Sequence, residues 1–244
     1  MCYNKHMSNS SVKILGYGVD GYDIEQALEY AQDKGGQVVT INPEMILAAQ
    51  KSPEFSQVIN EAELVIPDGI GVQMGLQILG YKVKRIPGIE FGHMLLEKYA
   101  QNNKPVAFVG AKPEVITSAV ENLKNEIPNL NVVYAHDGYF TDDEVVLKEL
   151  SESSPALVLV ALGSPKQEFF IKKLKSYLPE ALMIGLGGSF DVWAGVVKRA
   201  PKIYQRLGLE WLYRTIKEPQ RFKRIFPTLP LFLIKVLKQK LIRG

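Results

Sequence analysis

Polar residues that could bind or activate a small molecule follow short apolar runs of the sequence. Thr40 and Asn42 close the run at residues 37–41 and offer a hydroxyl and an amide. Asp68 follows a second apolar run and precedes a glycine-rich turn. A carboxylate in that position can act as a general base toward a sugar hydroxyl, a role typically worth about 10² to 10⁴ in rate. Structural roles stay open, because Asn42 directly precedes Pro43 as a helix cap would, and Asp68 could cap a turn.

The segment GSPKQE at residues 163–168 could bind a phosphate group. Gly163, followed by Ser164 as an N-cap, would open a helix whose first N–H groups can receive an anion. Lys166 could reach a phosphate, and Gln167 could hydrogen-bond the hydroxyls of a sugar. The segment is not a Walker A loop, which needs the pattern GxxxxGK[ST].

The segment GGSFD at residues 187–191 could bind a nucleobase. Gly187 and Gly188 permit a close approach of the backbone to a ligand. Phe190 could flank a base, and Asp191 could accept a hydrogen bond from an imide N–H. The pattern GxGxxG and an acidic residue about 20 positions later are both missing, which argues against an NAD-type oxidoreductase.

Few other residues suggest charge or metal chemistry in the body of the chain. Arg85 is a candidate for binding an anion beside the Asp68 loop, although a solvated arginine is the commoner case. The three histidines are scattered without HxxxH or HExxH spacing, and there is no Asp-x-Asp pattern. The single cysteine excludes an internal disulfide. We therefore expect no metal and no cofactor.

These residues need a sheet to bring them together. Apolar, β-branched runs predict strands at 37–41, 63–66, 106–109, 132–135, 156–162 and 182–186. They alternate with helical patterns, which predicts an α/β fold with a mostly parallel, Rossmann-like sheet flanked by helices. Ligands of such sheets bind beyond the carboxyl ends of the strands, where the polar residues above would meet.

Proline and capping residues predict where several helices begin. Pro43 and Pro113 suit the first turn of a helix. Thr141, followed three residues later by Glu144, predicts a capping box. The acidic run at 142–144 suits the first turn of the same helix, where negative charge is favourable.

The charge of the chain is divided unevenly. Residues 198–244 contain 13 Lys/Arg and 2 Asp/Glu, a net charge of +11, whereas the remainder contains 16 and 24, a net charge of −8. Basic tails of this kind seek anionic partners. We predict a disordered leader at 1–11, an α/β catalytic core at 12–197 and a basic helical, membrane-associating appendage at 198–244.

The appendage combines arginines with an apolar run. If one helix continues past Pro219, Arg214, Arg221 and Arg224 share a face. The apolar run at 226–237 is followed by further cations, which suits a segment lying in a membrane interface, where each Lys/Arg contributes about 1 kcal/mol. A helix packed on the core or in an oligomer interface is the alternative. The run of apolar residues argues against a nucleic-acid partner.

Taken together, these segments resemble the WecG/TagA/CpsF family of glycosyltransferases (glycosyltransferase family 26). The matching motifs follow the family's order over about 190 residues. They are Thr40-x-Asn42, Pro67-Asp68-Gly69-x-Gly71-Val72, Arg85-x-x-Gly88, Gly163-x-Pro165-Lys166-Gln167-Glu168, Gly185-x-Gly187-x-x-Phe190-Asp191-x-x-Ala194-Gly195, Arg199-Ala200-Pro201, Leu209-Glu210-Trp211-Leu212-x-Arg214 and Glu218-Pro219-x-Arg221. Glu90 departs from the aspartate expected in many members.

The resemblance implies a metal-independent, inverting transfer from a UDP-sugar to undecaprenyl-diphosphate-linked N-acetylglucosamine. For the TagA branch the donor is UDP-N-acetylmannosamine and the product primes wall teichoic acid; the uronate or a hexose are the alternative donor sugars. Asp68 would be the base, with Thr40, Asn42 and Gln167 around the sugar. Arg85 and the tail arginines would face diphosphates, and residues 187–191 would hold uridine.

The same resemblance and the basic tail together predict where the protein works. We expect a peripheral protein at the cytoplasmic face of the cell membrane, bound to anionic lipid. A homo-oligomer that buries the apolar tail face away from the membrane is a further expectation.

Overall fold

The computed structural model describes residues 11–206, 210–217 and 222–243. The chain begins there with an antiparallel hairpin, β1 (Ser11–Ile14) and β2 (Tyr17–Asp20). Six further strands follow: β3 (Gly36–Ile41), β4 (Leu64–Pro67), β5 (Val106–Gly110), β6 (Val132–His136), β7 (Leu157–Ala161) and β8 (Leu182–Gly185). They form one sheet in the order β4-β3-β8-β7-β5-β6, and all its strand pairs are parallel. The predicted fold class is confirmed.

Helices connect the strands and cover both faces of the sheet. They are α1 (Ile24–Lys34), α2 (Pro43–Ala49), α3 (Pro53–Asn60), α4 (Ile70–Ile78), α5 (Gly88–Gln101), α6 (Pro113–Glu126), α7 (Asp143–Glu152), α8 (Lys166–Leu174), α9 (Ser189–Trp193), α10 (Lys202–Arg206), α11 (Glu210–Lys217) and α12 (Phe222–Arg243). Pro43 and Pro113 occupy first turns as predicted.

Two predicted helix caps are wrong by one residue. Asp142, not Thr141, caps α7, because its carboxylate accepts the N–H of Glu144 at 2.9 Å. Pro165, not Ser164, occupies the N-cap position of α8. Ser164 precedes a proline, whose ring disfavours the helical conformation in the residue before it. The Ser164 hydroxyl interacts instead with the buried carboxyl of Glu168.

The core lies on both faces of the sheet. Neighbouring strand residues point to opposite faces, so Val38 belongs to the cluster under α1, α5 and α6, whereas Val39 belongs to the cluster under α2, α3 and α4. A third cluster joins β5, β7 and β8 to α7 and α8. This near-continuous burial explains why the strands read as unbroken apolar runs.

From Lys202 onward, the described residues of the predicted appendage form α10, α11 and α12, and α12 packs on the core. Phe232 and Val236 of α12 are fully buried in the cluster that also contains α2 and α4. Gln239 Oε1 accepts the backbone N–H of Leu15 at 2.7 Å. The core-packing alternative is therefore correct for this face of α12. Within the described ranges, no helix is long and apolar enough to cross a bilayer.

The opposite face of α12 stays open. It exposes Leu231, Ile234, Leu237, Leu241 and Ile242, with Leu241 and Ile242 each more than four-fifths exposed. Arg221 and the side chains of Arg214 and Arg224 lie outside the described residues, so their predicted common face stays a prediction.

Candidate active site

A cavity of about 570 Å³ opens at the carboxyl edge of the sheet. Because β3, β4, β7 and β8 are neighbouring and parallel, their final residues meet at this edge. The wall contains most of the residues that the sequence singles out: Thr40, Asn42, Asp68, Arg85, Gly163, Gln167, Gly187 and Gly188. It also contains Glu44 and Glu210, which sequence reasoning missed.

Asp68 occupies the loop directly after β4. Its backbone N–H donates to the carbonyl of Ile41 at 2.8 Å, which fixes the loop to the end of β3. Its half-buried carboxylate accepts the backbone N–H groups of Gly88 and Gly69. Burial raises the pKa of Asp68 to about 6, and the charge of Glu210 adds to this, while the two N–H groups and Arg85 oppose it. Such a carboxylate is ionised at neutral pH and is a stronger base than an ordinary aspartate.

Thr40 and Asn42 form the neighbouring part of the wall. The Thr40 hydroxyl donates to the carbonyl of Gly185 at 3.2 Å and thereby joins β3 to the end of β8. Asn42 Oδ1 accepts the N–H of Met45 at 3.0 Å, so the helix-capping role is real. The cap uses one lone pair of the amide oxygen, which leaves the second lone pair and the NH₂ group for contacts with a ligand.

Gln167 forms the floor of the cavity and is only 3 % exposed. Its Nε2 donates to Glu168 Oε1 at 2.7 Å, and its Oε1 accepts the N–H of Gly187 at 3.0 Å. These two bonds fix the orientation of the amide and hold the Gly187 loop. Gly185 is needed below it, because a Cβ there would lie 2.5 Å from Gln167 Nε2.

Glu168 supports that floor from beneath. It is 2 % exposed, and burial raises the pKa of its carboxyl while the hydrogen bond from Gln167 lowers it. Gln37, also buried, donates to its backbone carbonyl at 3.4 Å. Glu168 belongs to the sequence motif, but nothing in the sequence indicated that its side chain is buried beneath the cavity and accepts a hydrogen bond from Gln167.

The structure contradicts one predicted binding residue. Phe190 is fully buried in the core, with its ring centroid 5.6 Å from that of Phe108 and 5.7 Å from that of Trp193. The prediction that Phe190 flanks a base is therefore wrong, because no part of the residue is exposed to the cavity. An aromatic residue after two glycines suits either role, and packing decides between them.

Lys166 and Asp191 lie outside the described cavity wall. Lys166 is exposed, with its Nζ 4.9 Å from the centroid of the Phe140 ring. Asp191 is half-buried, and its carbonyl accepts the N–H of Val197 at 3.0 Å. Their roles toward a phosphate and an imide stay predictions.

An ion-pair cluster stands at the rim of the cavity. Arg199 bonds Glu90 through Nη2, and its Nε lies 3.7 Å from Glu210 Oε1. The longer carboxylate at position 90 therefore has a defined structural partner. Among the described residues, no three His, Cys, Asp or Glu side chains converge as a set of metal ligands.

Comparisons with known proteins agree on one family. The sequence profile of the glycosyl transferase WecG/TagA/CpsF family matches residues 12–244. A relative from Bacillus spizizenii (strain ATCC 23059 / NRRL B-14472 / W23), named N-acetylglucosaminyldiphosphoundecaprenol N-acetyl-beta-D-mannosaminyltransferase, is 40% identical over 210 residues, which cover 86% of this chain and 81% of the relative. A relative of the same name from Bacillus subtilis (strain 168) is 39% identical over 213 residues, covering 86% and 83%.

Proposed function

The chain belongs to the WecG/TagA/CpsF family of glycosyl transferases, and on that premise we propose that it transfers N-acetylmannosamine from UDP-N-acetylmannosamine to the 4-hydroxyl of N-acetylglucosamine-diphospho-undecaprenol. The names of both Bacillus relatives describe this acceptor and this sugar. The reaction would build the linkage unit of wall teichoic acid. The placement of Asp68 in a cavity at the carboxyl edge of the sheet is the observation that carries the proposal.

The proposed step is a single displacement that inverts the anomeric carbon. Asp68 takes the proton of the acceptor hydroxyl as its oxygen attacks that carbon, and the bond to the diphosphate of UDP breaks. A pKa of about 6 suits this role, because the carboxylate is ionised at neutral pH yet binds the proton more strongly than an ordinary aspartate. Thr40, Asn42 and Gln167 would surround the donor sugar.

The leaving diphosphate needs positive charge. In the part of the wall that the structure describes, the charged side chains are the carboxylates of Glu44, Asp68 and Glu210 and the guanidinium of Arg85. One cation against three carboxylates does not suit a diphosphate, whose developing charge is stabilised by preorganised cations and N–H groups. We therefore assign the missing charge to the tail arginines, Arg214, Arg221 and Arg224, together with the backbone around Gly187.

The same proposal places the protein at the cytoplasmic face of the membrane as a peripheral protein. The open face of α12 supports it, because exposed apolar residues lie there beside the exposed Lys238 and Lys240. Such a face suits the boundary between headgroups and acyl chains of an anionic leaflet. Away from lipid, a homo-oligomer could cover the same residues. Flotation with anionic and with neutral vesicles, together with a separate binding assay on duplex DNA, tests the choice of partner.

The reaction is tested by UDP release with a lipid-diphosphate N-acetylglucosamine analogue and a panel of UDP-sugars. We expect UDP-N-acetylmannosamine to be the preferred donor, whereas preference for its uronate or for a hexose would replace the assigned sugar. Asp68→Asn should reduce kcat at least about 10²-fold, while Asp33→Asn, at an exposed helix position, should leave kcat unchanged. Unreduced turnover of Asp68→Asn would remove Asp68 as the base.

A further inference from the structure

Glu210 is a second carboxylate of the cavity that holds Asp68. It is the first residue of α11, it lines the cavity, and its side chain is only 16% exposed. It therefore enters the site from the tail, whereas Asp68 enters from the end of β4. The family motif includes Glu210, but its position in a strongly basic segment gave no reason to expect it beside the base.

Arg199 fixes the place of Glu210. Its Nε lies 3.7 Å from Glu210 Oε1, while its Nη2 bonds Glu90 in the first turn of α5. Gly88, the first residue of the same helix, donates its N–H to the Asp68 carboxylate. The start of α5 thus contacts the base on one side and, through Arg199, the carboxylate of the tail on the other.

We propose that Glu210 is a positioning residue that strengthens the base Asp68 through space, and that Arg199 holds Glu210 where it can do so. The inference rests on the proposed role of Asp68. A carboxylate close to another in a partly enclosed site makes the neighbouring carboxylate hold its proton more tightly.

The charges around Asp68 are consistent with this role. After burial, the negative charge of Glu210 is the second cause that raises the pKa of Asp68, and Arg85 and the N–H groups of Gly69 and Gly88 lower it. Glu44 of α2 is the remaining charged side chain of the described wall, and the side chain of Arg214 lies outside the described residues. Because Glu210 belongs to the tail, Asp68 has its full basicity only while α11 is docked.

The pH dependence of kcat/KM tests the proposal on the full-length protein. The wild type should lose activity below about pH 6 as Asp68 is protonated. In Glu210→Gln this acidic limb should move down by about 0.5 pH unit or more, and the plateau should fall severalfold, because a weaker base accepts the proton less readily. Glu210→Asp, which keeps the charge, should keep the limb nearer to that of the wild type.

Glu44→Gln is the matched control, because it removes another carboxylate from the same wall. The acidic limb of its kcat/KM profile should stay at the wild-type pH, whatever the substitution does to the plateau value. An unmoved limb in Glu210→Gln, or an equal shift in Glu44→Gln, overturns the inference. If Asp68→Asn is inactive in the same assay while Glu210→Gln keeps the wild-type limb, the proposed function stands and the inference alone fails.

The role of Arg199 is tested by a double-mutant cycle. If Arg199 acts through Glu210, Arg199→Gln should lower kcat/KM, and adding it to Glu210→Gln should cause no further loss beyond about twofold. Arg199→Lys should restore part of the activity, because it retains the charge. Losses that multiply in the double variant would show that Arg199 acts elsewhere, for instance through Glu90 alone.

Discussion

The cavity edge and α12 are positioned by different means. At the cavity edge, polar residues at the ends of neighbouring strands are held by hydrogen bonds between those strand ends, as when the N–H of Asp68 donates to the carbonyl of Ile41. Helix α12 is placed by contacts with distant parts of the chain, such as Lys235 Nζ with Gln50 Oε1 at 2.6 Å. The first region depends on the pairing of the parallel strands, whereas the second depends on the packing of a helix on the assembled core.

This difference implies different responses to mutation. Changes at the cavity edge should alter chemistry while the fold persists, because those residues make few of the core contacts. Changes on the inner face of α12 should alter stability first, because Phe232 and Val236 complete a core cluster. Deleting the chain after Ala200 would remove both kinds of residue together, so single substitutions separate the roles better.

The largest expected effect on stability is on the inner face of α12. Phe232→Ala removes a fully buried ring and should lower the free energy of unfolding by about 3–5 kcal/mol. Leu231→Ala, at the neighbouring position that is 45% exposed, should change it by no more than about 0.5 kcal/mol. Urea unfolding of the two variants measures the difference, and equal values would mean that α12 is not docked in solution.

The floor of the cavity should show a smaller loss of stability but a large loss of activity. Gly185→Ala places a Cβ 2.5 Å from Gln167 Nε2, which must displace the amide and release the N–H of Gly187. We expect a cost of about 1–3 kcal/mol in stability and a marked rise in KM for the UDP-sugar. Steady-state kinetics with varied donor would contradict the assigned floor if KM stayed at the wild-type value.

The carboxyl of Asp68 should make stability depend on pH. Its native pKa of about 6 exceeds the ordinary value of 3.8, so the native state binds the proton more tightly and loses stability as pH rises through that window. Asp68→Asn should therefore equal the wild type near pH 4 and be more stable by about 1–2 kcal/mol above pH 6. Thermal unfolding at both pH values checks this, with Asp33→Asn as the control.

The smallest expected effect is at the contact between α12 and the hairpin turn. Gln50 accepts from Lys235 and donates to the carbonyl of Leu15 at 3.4 Å, all at an exposed site. Gln50→Ala should cost no more than about 1 kcal/mol, because exposed hydrogen bonds contribute little. A loss comparable to that of Phe232→Ala would show that polar contacts, rather than burial, hold α12.

Much of the sheet could be predicted because buried parallel strands carry an unmistakable pattern. The strand predicted at 106–109 is found at Val106–Gly110, and the one at 156–162 is found at Leu157–Ala161. The hairpin of β1 and β2 was missed because Ser11–Ile14 is short and mostly accessible. That strand begins at the last residue of the predicted leader.

The part of the candidate site that lies at the ends of the strands was predicted from the sequence. The position after a strand placed Asp68 at the edge, but it could not tell that the ring of Phe190 turns into the core. Nor could strand positions predict that Glu210 lines the same cavity as Asp68. That arrangement depends on how the C-terminal helices pack against the rest of the fold. Side-chain direction and long-range docking are set by packing, which single-residue patterns do not encode.

The docking of α12 also has a consequence for the order of folding. Leu15 and Gln239 are 224 residues apart in sequence, so their contact closes one of the longest loops available to this chain. On the ribosome, α12 emerges after every element it contacts, and the apolar surface of α2 and α4 stays uncovered until then. Nascent chains therefore expose this apolar surface through most of synthesis, which favours aggregation until α12 covers it.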